Sequence, residues 1–263
     1  MKDTDFSIIK YPRTQHLEGS RLQAGDEDLS QVPFSAVLGK HIVIEEKIDG
    51  ANTAISFSDE GELLLQNRGH YLYGGHRERH YNLFKSWAFL HQDAFFDVLG
   101  CRYIMYGEWM YAKHTVFYDA LPDYFMEFDI YDRERGVFLS TAERRKLTAL
   151  LPMVYSVPVL GEGVYKSKEE VLSFLGNSNY ITEKHIEVLR ETAERLNLDA
   201  ERQIMETDPS MLMEGLYIKI EENGTVTERV KFVRASFLQC VKESQTHWQH
   251  RPIVPNRVIK NYE

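Results

Sequence analysis

Residues 45–52 read Glu-Glu-Lys-Ile-Asp-Gly-Ala-Asn, and Lys47 is the member of this octet able to act as a nucleophile. A lysine of ordinary pKa, about 10.4, is only about one part in a thousand neutral near pH 7, so nearby cations or desolvation must first press it down. Taken alone, Lys-x-Asp-Gly is more often a strand-end lysine reaching water beside a polar turn. Further segments downstream, in a fixed order along the chain, change that balance. Arg68-Gly69 comes next, then Tyr106-Gly107-Glu108-Trp109, then the aromatic and acidic run 125–131. Glu214-Gly215-Leu216-Tyr217-Ile218-Lys219 and Arg229-Val230-Lys231 complete the series.

These segments resemble, in the same order, the successive motifs of the covalent nucleotidyltransferases, the superfamily of ATP-dependent DNA and RNA ligases and mRNA capping enzymes. Within it the chain looks most like RNA ligases of the phage nick-sealing type and their bacterial relatives. Tyr11-Pro12-Arg13-Thr14, Asn52, and Gly107-Glu108-Trp109 running into Lys113-His114-Thr115 carry that narrower likeness, which covers about residues 11–234.

The resemblance implies a reaction. Lys47 attacks the α-phosphate of ATP and becomes lysyl-AMP, AMP passes to a 5′-phosphate end, and a 3′-hydroxyl displaces it. Such chemistry rests on positioning and charge neutralisation. By the same resemblance, Glu46 contributes its backbone to the adenine pocket and Asn52 closes the first motif. Phe128 stacks on adenine, with a core role as the competing reading and Phe125 able to exchange places with it. Glu108 holds the ribose, Arg68 meets ribose or phosphate, and Glu214 serves Mg2+, with Mn2+ as a substitute. Lys219 and Lys231 bind the α-phosphate and lower the pKa of Lys47, and Arg229 joins them where close relatives carry lysine. Arg68, Lys113, His114 and Arg234 are candidates for binding the nucleic-acid end. RNA ends are the implied partner, with an end-healing or accessory protein possible. A DNA ligase or GTP-using capping enzyme is the nearest alternative, and a noncatalytic end-binding subunit is an alternative of another class.

Elements must deliver these residues. Residues 41–48 are rich in Ile and Val and predict a strand ending near Lys47; 56–66 predict a hairpin turning at Asp59-Glu60-Gly61, and 102–109 and 124–131 two more strands. Residues 81–91 predict a helix. Ser140 with Glu143, and Ser167 with Glu170, predict capped helices, and Ile186, Leu189, Ala193 and Leu196 share one helical face. Strands return at 216–220 and 226–233 around Asn223-Gly224. A plain two-residue hairpin there would set Lys219 opposite Glu228, facing away from Arg229 and Lys231. A three-residue turn or a bulge near Gly224 is therefore expected, setting Lys219 opposite Arg229.

The expected fold is α+β: a nucleotidyltransferase, ATP-grasp-like fold with two mainly antiparallel sheets and flanking helices around an ATP cleft. Residues 1–234 form that domain, with a helical insertion at about 166–206. Residues 235–263 form a tail lying along the surface, too short for a separate oligonucleotide-binding barrel.

Composition limits the alternatives. With 43% hydrophobic and 27% charged residues, the 263-residue chain should fold. Cys101 and Cys240, its two cysteines, cannot build a disulfide framework or a four-cysteine zinc site, and Cys101 reads as core. His76, His80 and His91 lack an organised set of acids and read as surface residues. No signal segment or bilayer-spanning run is evident, so cytoplasm is the default and no membrane partner is expected. The formal net charge of -9 confines nucleic-acid binding to a local cationic cleft. Oligomeric state is not encoded legibly.

Overall fold

The computed structural model describes residues 8–20, 30–237 and 251–259. Five strands come first: β1 (Gln15–Leu17), β2 (Gln31–Val32), β3 (His41–Lys47), β4 (Ala51–Phe57) and β5 (Leu63–Asn67). Helices α1 (Asn82–Leu90) and α2 (Gln92–Leu99) lead to β6 (Tyr103–Trp109), β7 (Phe125–Asp132) and β8 (Val137–Leu139). Next come α3 (Thr141–Thr148), β9 (Tyr155–Ser156) and β10 (Val159–Val164). The expected insertion interval holds α4 (Lys168–Leu172), α5 (His185–Arg195) and α6 (Ala200–Met205), and β11 (Gly215–Glu222) and β12 (Thr225–Val233) close the series.

Hydrogen bonds join the strands into one network, β10-β3-β11-β12-β8-β7-β6-β4-β5, where two sheets were expected. The joint is narrow. β8 gives two residue pairs to β12 and two to β7, so a three-residue strand links two larger antiparallel halves. Each half buries its outer face. Ile42, Ile44, Leu216, Ile218 and Val230 pack with Val171 of α4, whereas Ile55, Phe57, Met105 and Phe125 pack under Phe84 and Ala88 of α1 and Phe95 of α2. Burying one such side chain is worth about 1.5–3 kcal/mol, so these two clusters hold the halves in shape.

The inner faces carry charge. Period-two alternation puts Glu45 and Lys47 of β3, and Tyr217 and Lys219 of β11, on the face opposite Ile44 and Ile218. From the other half, Asp129 of β7 lies 3.2 Å from the Lys219 ammonium, and Glu45 lies 2.8 Å from it. Arg144, fully buried on α3, closes the network at 2.5 Å from Glu45 and 3.4 Å from Glu127. Tyr11 donates to Asp129 at 2.5 Å and meets the Tyr217 hydroxyl at 2.7 Å, so the N-terminal Tyr-Pro-Arg-Thr segment fastens the two halves together.

The β11–β12 hairpin has the expected register, set by a bulge rather than by a three-residue turn. Asn223-Gly224 is a two-residue turn with φ of 50° and 78°, and Glu222 pairs with Thr225. The extra residue lies in the strand: Glu221 pairs with Val226 and Ile220 with Glu228, leaving Thr227 as a bulge. Lys219 therefore stands opposite Arg229, and Tyr217 opposite Lys231.

The tail reading needs correction. Residues 238–250 and 260–263, including Cys240, lie outside the described residues, but 251–259 are anchored in the fold by buried Arg251, Val254 and Asn256, with Pro252 and Ile259 exposed. Val254 and Asn256 are each 1% exposed. The Asn256 side chain accepts from Tyr118 N at 2.9 Å and donates to Met110 O at 2.6 Å, because these loop groups have no strand partner. His80 is also buried, contrary to a surface reading, and Cys101 is half-buried rather than core.

Candidate active site

Lys47 is the last residue of β3. The ladder pairs it with Gly215, which sets the preceding Glu214 beside it, and Lys47 Nζ lies 2.6 Å from Glu214 Oε2. The glycine is required there: a Cβ on Gly215 would fall 1.9 Å from the carbonyl oxygen of Phe232. The turn after Lys47 is as tight. A Cβ on Gly50 would meet Met110 Sδ at 2.6 Å and Glu108 Cγ at 2.8 Å. Asn52 and Glu108 are directly paired across β4 and β6, which places the Glu108 side chain over the turn.

Asp49 is built into the scaffold. Its Oδ2 accepts from the amides of Thr115 and Val116 at 2.8 and 3.1 Å, and its own amide donates to the Tyr118 hydroxyl at 2.8 Å. Burial opposes its charge, but His114, the Thr115 amide and Lys47 hold its carboxyl below the usual range.

The electrostatics differ from expectation. Burial alone would push the Lys47 ammonium down, but Glu214, Glu108 and Asp49 outweigh it, and its pKa lies above the ordinary lysine value. The strongest charges on Lys47 are thus carboxylates, not the expected Lys219 and Lys231. Lys219 is 1% exposed and held by Glu45, Asp129 and the carbonyl of Phe128. Lys231, also buried, acts on Glu214 and favours its charged form. Arg229 lies with its guanidinium 4.0 Å from the Phe138 ring centroid, so it too belongs to the inner network.

Glu108 is pushed up to about 8, first by burial, with Glu214 and Asp49 adding to it against the pull of Lys47. The Glu214 carboxylate beside Lys47 is a hard oxygen ligand of the kind Mg2+ or Mn2+ takes. Among the described residues no three His, Cys, Asp or Glu side chains form a ready metal cage. That arrangement fits an ion bound through one or two carboxylates and a substrate's phosphates.

The aromatic alternatives separate. Phe125 is fully buried against Phe84 and Trp87, whereas Phe128 is half-buried at a bulge in β7, between Glu127 opposite Gly107 and Asp129 opposite Tyr106. The bulge turns Phe128 inward, its ring 5.1 Å from that of Tyr11. Glu46 points to the opposite face, where its carboxylate accepts from Ser178 at 2.5 Å and Asn179 Nδ2 at 2.7 Å, and its amide donates to Pro158 O at 3.0 Å.

The candidate end-binding residues are not brought together on a surface. Lys113, His114 and Arg234 are 6%, 5% and 9% exposed. Lys113 Nζ donates to the carbonyls of Glu206 and His114, and Arg234 is held by Asp208 and the Met213 carbonyl. They brace the loop after β6 whose amides hold the Asp49 carboxylate. Arg68 alone is exposed, on the turn after β5. Sequence reasoning gave no role to Tyr81, whose buried hydroxyl bonds to Asn67 and is pushed up to about 12 by burial and by Glu108. Nor did it find Arg144 or Asn256, since a lone polar residue carries no motif.

The RNA ligase family model matches residues 40–233, the interval from β3 through β12 that assembles this site. The chain belongs to the RNA ligase family. A comparison with curated protein sequences finds no match. Among solved structures, two mutants of Naegleria gruberi RNA ligase, one with ATP and Mn and one with AMP and Mn, align at a TM-score of 0.50 each. They share 17% and 16% identity, and the alignments cover 89% and 90% of this chain but 59% of each of theirs. The chain thus spans just over half the length of those relatives, and the likeness is one of fold. No helix among the described residues is long and apolar enough to cross a membrane.

Proposed function

We propose that the protein is an ATP-dependent RNA ligase, with the nucleotide seated in a cleft between the two half-sheets of a nucleotidyltransferase fold. The observation that carries this is Lys47 at the end of β3, enclosed by Glu214, Glu108 and Asp49 and 2.6 Å from Glu214. Neighbours in the same fold family are RNA ligases solved with ATP and Mn or AMP and Mn, which supports the choice of nucleotide and a divalent ion.

Before attack, Lys47 must leave Glu214 and lose a proton. Glu214 would hold Mg2+ or Mn2+, and the charge of such an ion would offset the carboxylate that keeps Lys47 protonated. The neutral amine then forms an N–P bond to the α-phosphorus as the bond to pyrophosphate breaks. Glu108, paired with Asn52, is placed for the ribose, and Phe128 for the adenine face. Lys231, beside Glu214, is placed for phosphate charge. Lys219 and Arg229 act from beneath, fixing Phe128 through its carbonyl and through Asp129. AMP then passes to a 5′-phosphate, and a 3′-hydroxyl displaces it to close the strand.

Ligation of matched RNA, DNA and mixed ends tests this reading. Sealing of 5′-phosphate to RNA 3′-hydroxyl ends is the expected result. Sealing confined to DNA 3′-hydroxyl ends would make it a DNA ligase, and strand binding with neither adenylylation nor sealing would make it a noncatalytic end-binding subunit.

A further inference from the structure

Residues 67–91 carry Arg68, Arg77, Arg79 and Lys85 against a single acid, Glu78, in a protein of formal net charge -9. Glu78 is occupied locally, accepting from Gly74 N at 2.9 Å and Lys85 Nζ at 2.5 Å. Arg68 is exposed, whereas Arg79, also exposed over part of its side chain, donates to the Arg251 carbonyl at 3.0 Å. The same segment leaves rings in water: Tyr73 is 78% exposed and Phe89 66%. A groove of 580 Å³ runs between β5, the loop after it and α1, lined by Leu63, Leu65, Tyr71, Tyr73, Lys85 and Phe89.

This surface adjoins the site. Asn67 ends β5 opposite Thr53, next to the Asn52 that pairs with Glu108, and the Asn67 side chain bonds to Tyr81, on which Glu108 acts. Open aromatic faces flanked by cations are the chemistry of single-strand recognition, in which rings stack on bases and positive groups follow the backbone. The local excess of positive charge in an acidic protein complements a polyanion and would repel a basic protein partner.

We infer that this groove receives unpaired RNA bases beside the end being joined, Tyr73 and Phe89 stacking on bases and Arg68 meeting the backbone phosphates. The inference rests on the RNA-ligase reading for its ligand. The test titrates a fluorescent, 5′-phosphorylated single-stranded RNA of about twelve nucleotides against the wild-type chain, the double variant Tyr73→Ala/Phe89→Ala, and Tyr73→Trp. Lysyl-AMP formation is followed in parallel.

The expected result is RNA binding weakened about tenfold or more in the double variant, retained in Tyr73→Trp, with lysyl-AMP formation unchanged in both. Equal binding by wild type and double variant overturns the inference, as does a wild type that forms lysyl-AMP but does not bind the strand. A double variant that changes sedimentation but not RNA affinity makes the groove a protein interface and also overturns it. Strand binding lost only in the double variant, with no lysyl-AMP in any protein, would sink the ligase chemistry and leave the groove standing.

Discussion

At the scale of single residues, the proposed site divides into groups placed for the nucleotide and groups that hold them. Phe125 and Phe128 separate the two roles. Phe125→Ala empties a fully buried site and should cost about 3–5 kcal/mol of stability, read as a shift in denaturation midpoint. Phe128→Ala, at a half-buried bulge, should instead raise the ATP concentration needed for lysyl-AMP formation while costing less stability. Equal effects of the two substitutions on both readouts would contradict the assignment. Arg144 is the supporting case. Replacing it with Ala takes the ion-pair partner from buried Glu127 and leaves Glu45 to Lys219, and about 3–5 kcal/mol should be lost, seen as a lowered melting temperature. The sequence made Lys47, Glu108 and Glu214 legible because each lies in a short, spaced motif. Arg144 was hidden because its partners lie 99 and 17 positions away in the chain, a separation no local pattern reports.

At the scale of elements, two local irregularities aim the site. The Thr227 bulge in β12 sets Lys219 opposite Arg229, and the bulge at Phe128 in β7 turns a ring inward from a strand whose neighbours are buried. The need for the first was readable from alternation alone, since a plain hairpin put the cations on opposite faces; its position three residues past Gly224 was not. Gly215 tests the ladder. Gly215→Ala places a Cβ 1.9 Å from the Phe232 carbonyl, so β11 and β12 must part, and the variant should be grossly destabilised or insoluble. A soluble variant with unchanged melting would contradict the register. Strands β3, β6, β7, β11 and β12 and helices α1 and α3 were legible from periodicity and caps. The short strands β1, β2, β8 and β9 were not, because two or three residues carry no period.

At the scale of the whole molecule, residues 251–259 return to the loop that holds Asp49. Asn256→Ala leaves Tyr118 N buried without its acceptor and should cost about 1–3 kcal/mol. Lys113, beneath the same loop, links stability to pH. Burial and Arg251 lower its pKa to about 7, against Glu206 and Asp49, so above that pH the unfolded chain binds a proton that the folded chain does not. Its contribution to stability therefore rises with pH from about 7 toward the ordinary lysine value, by up to about 1.4 kcal/mol per pH unit. Urea denaturation of wild type and Lys113→Met at pH 7, 8 and 9 should show the wild type gaining on the variant; parallel curves would contradict the placement.

Residue, element and molecule converge on one amine. Incubation with α-labelled ATP and a divalent cation, followed by denaturation, asks directly whether AMP becomes covalently attached to the protein. The expected label survives denaturation in the wild type, is absent in Lys47→Ala, and is not obtained with labelled GTP. Label retained by Lys47→Ala, or none in the wild type with either Mg2+ or Mn2+, would contradict the assignment of Lys47 as the nucleophile.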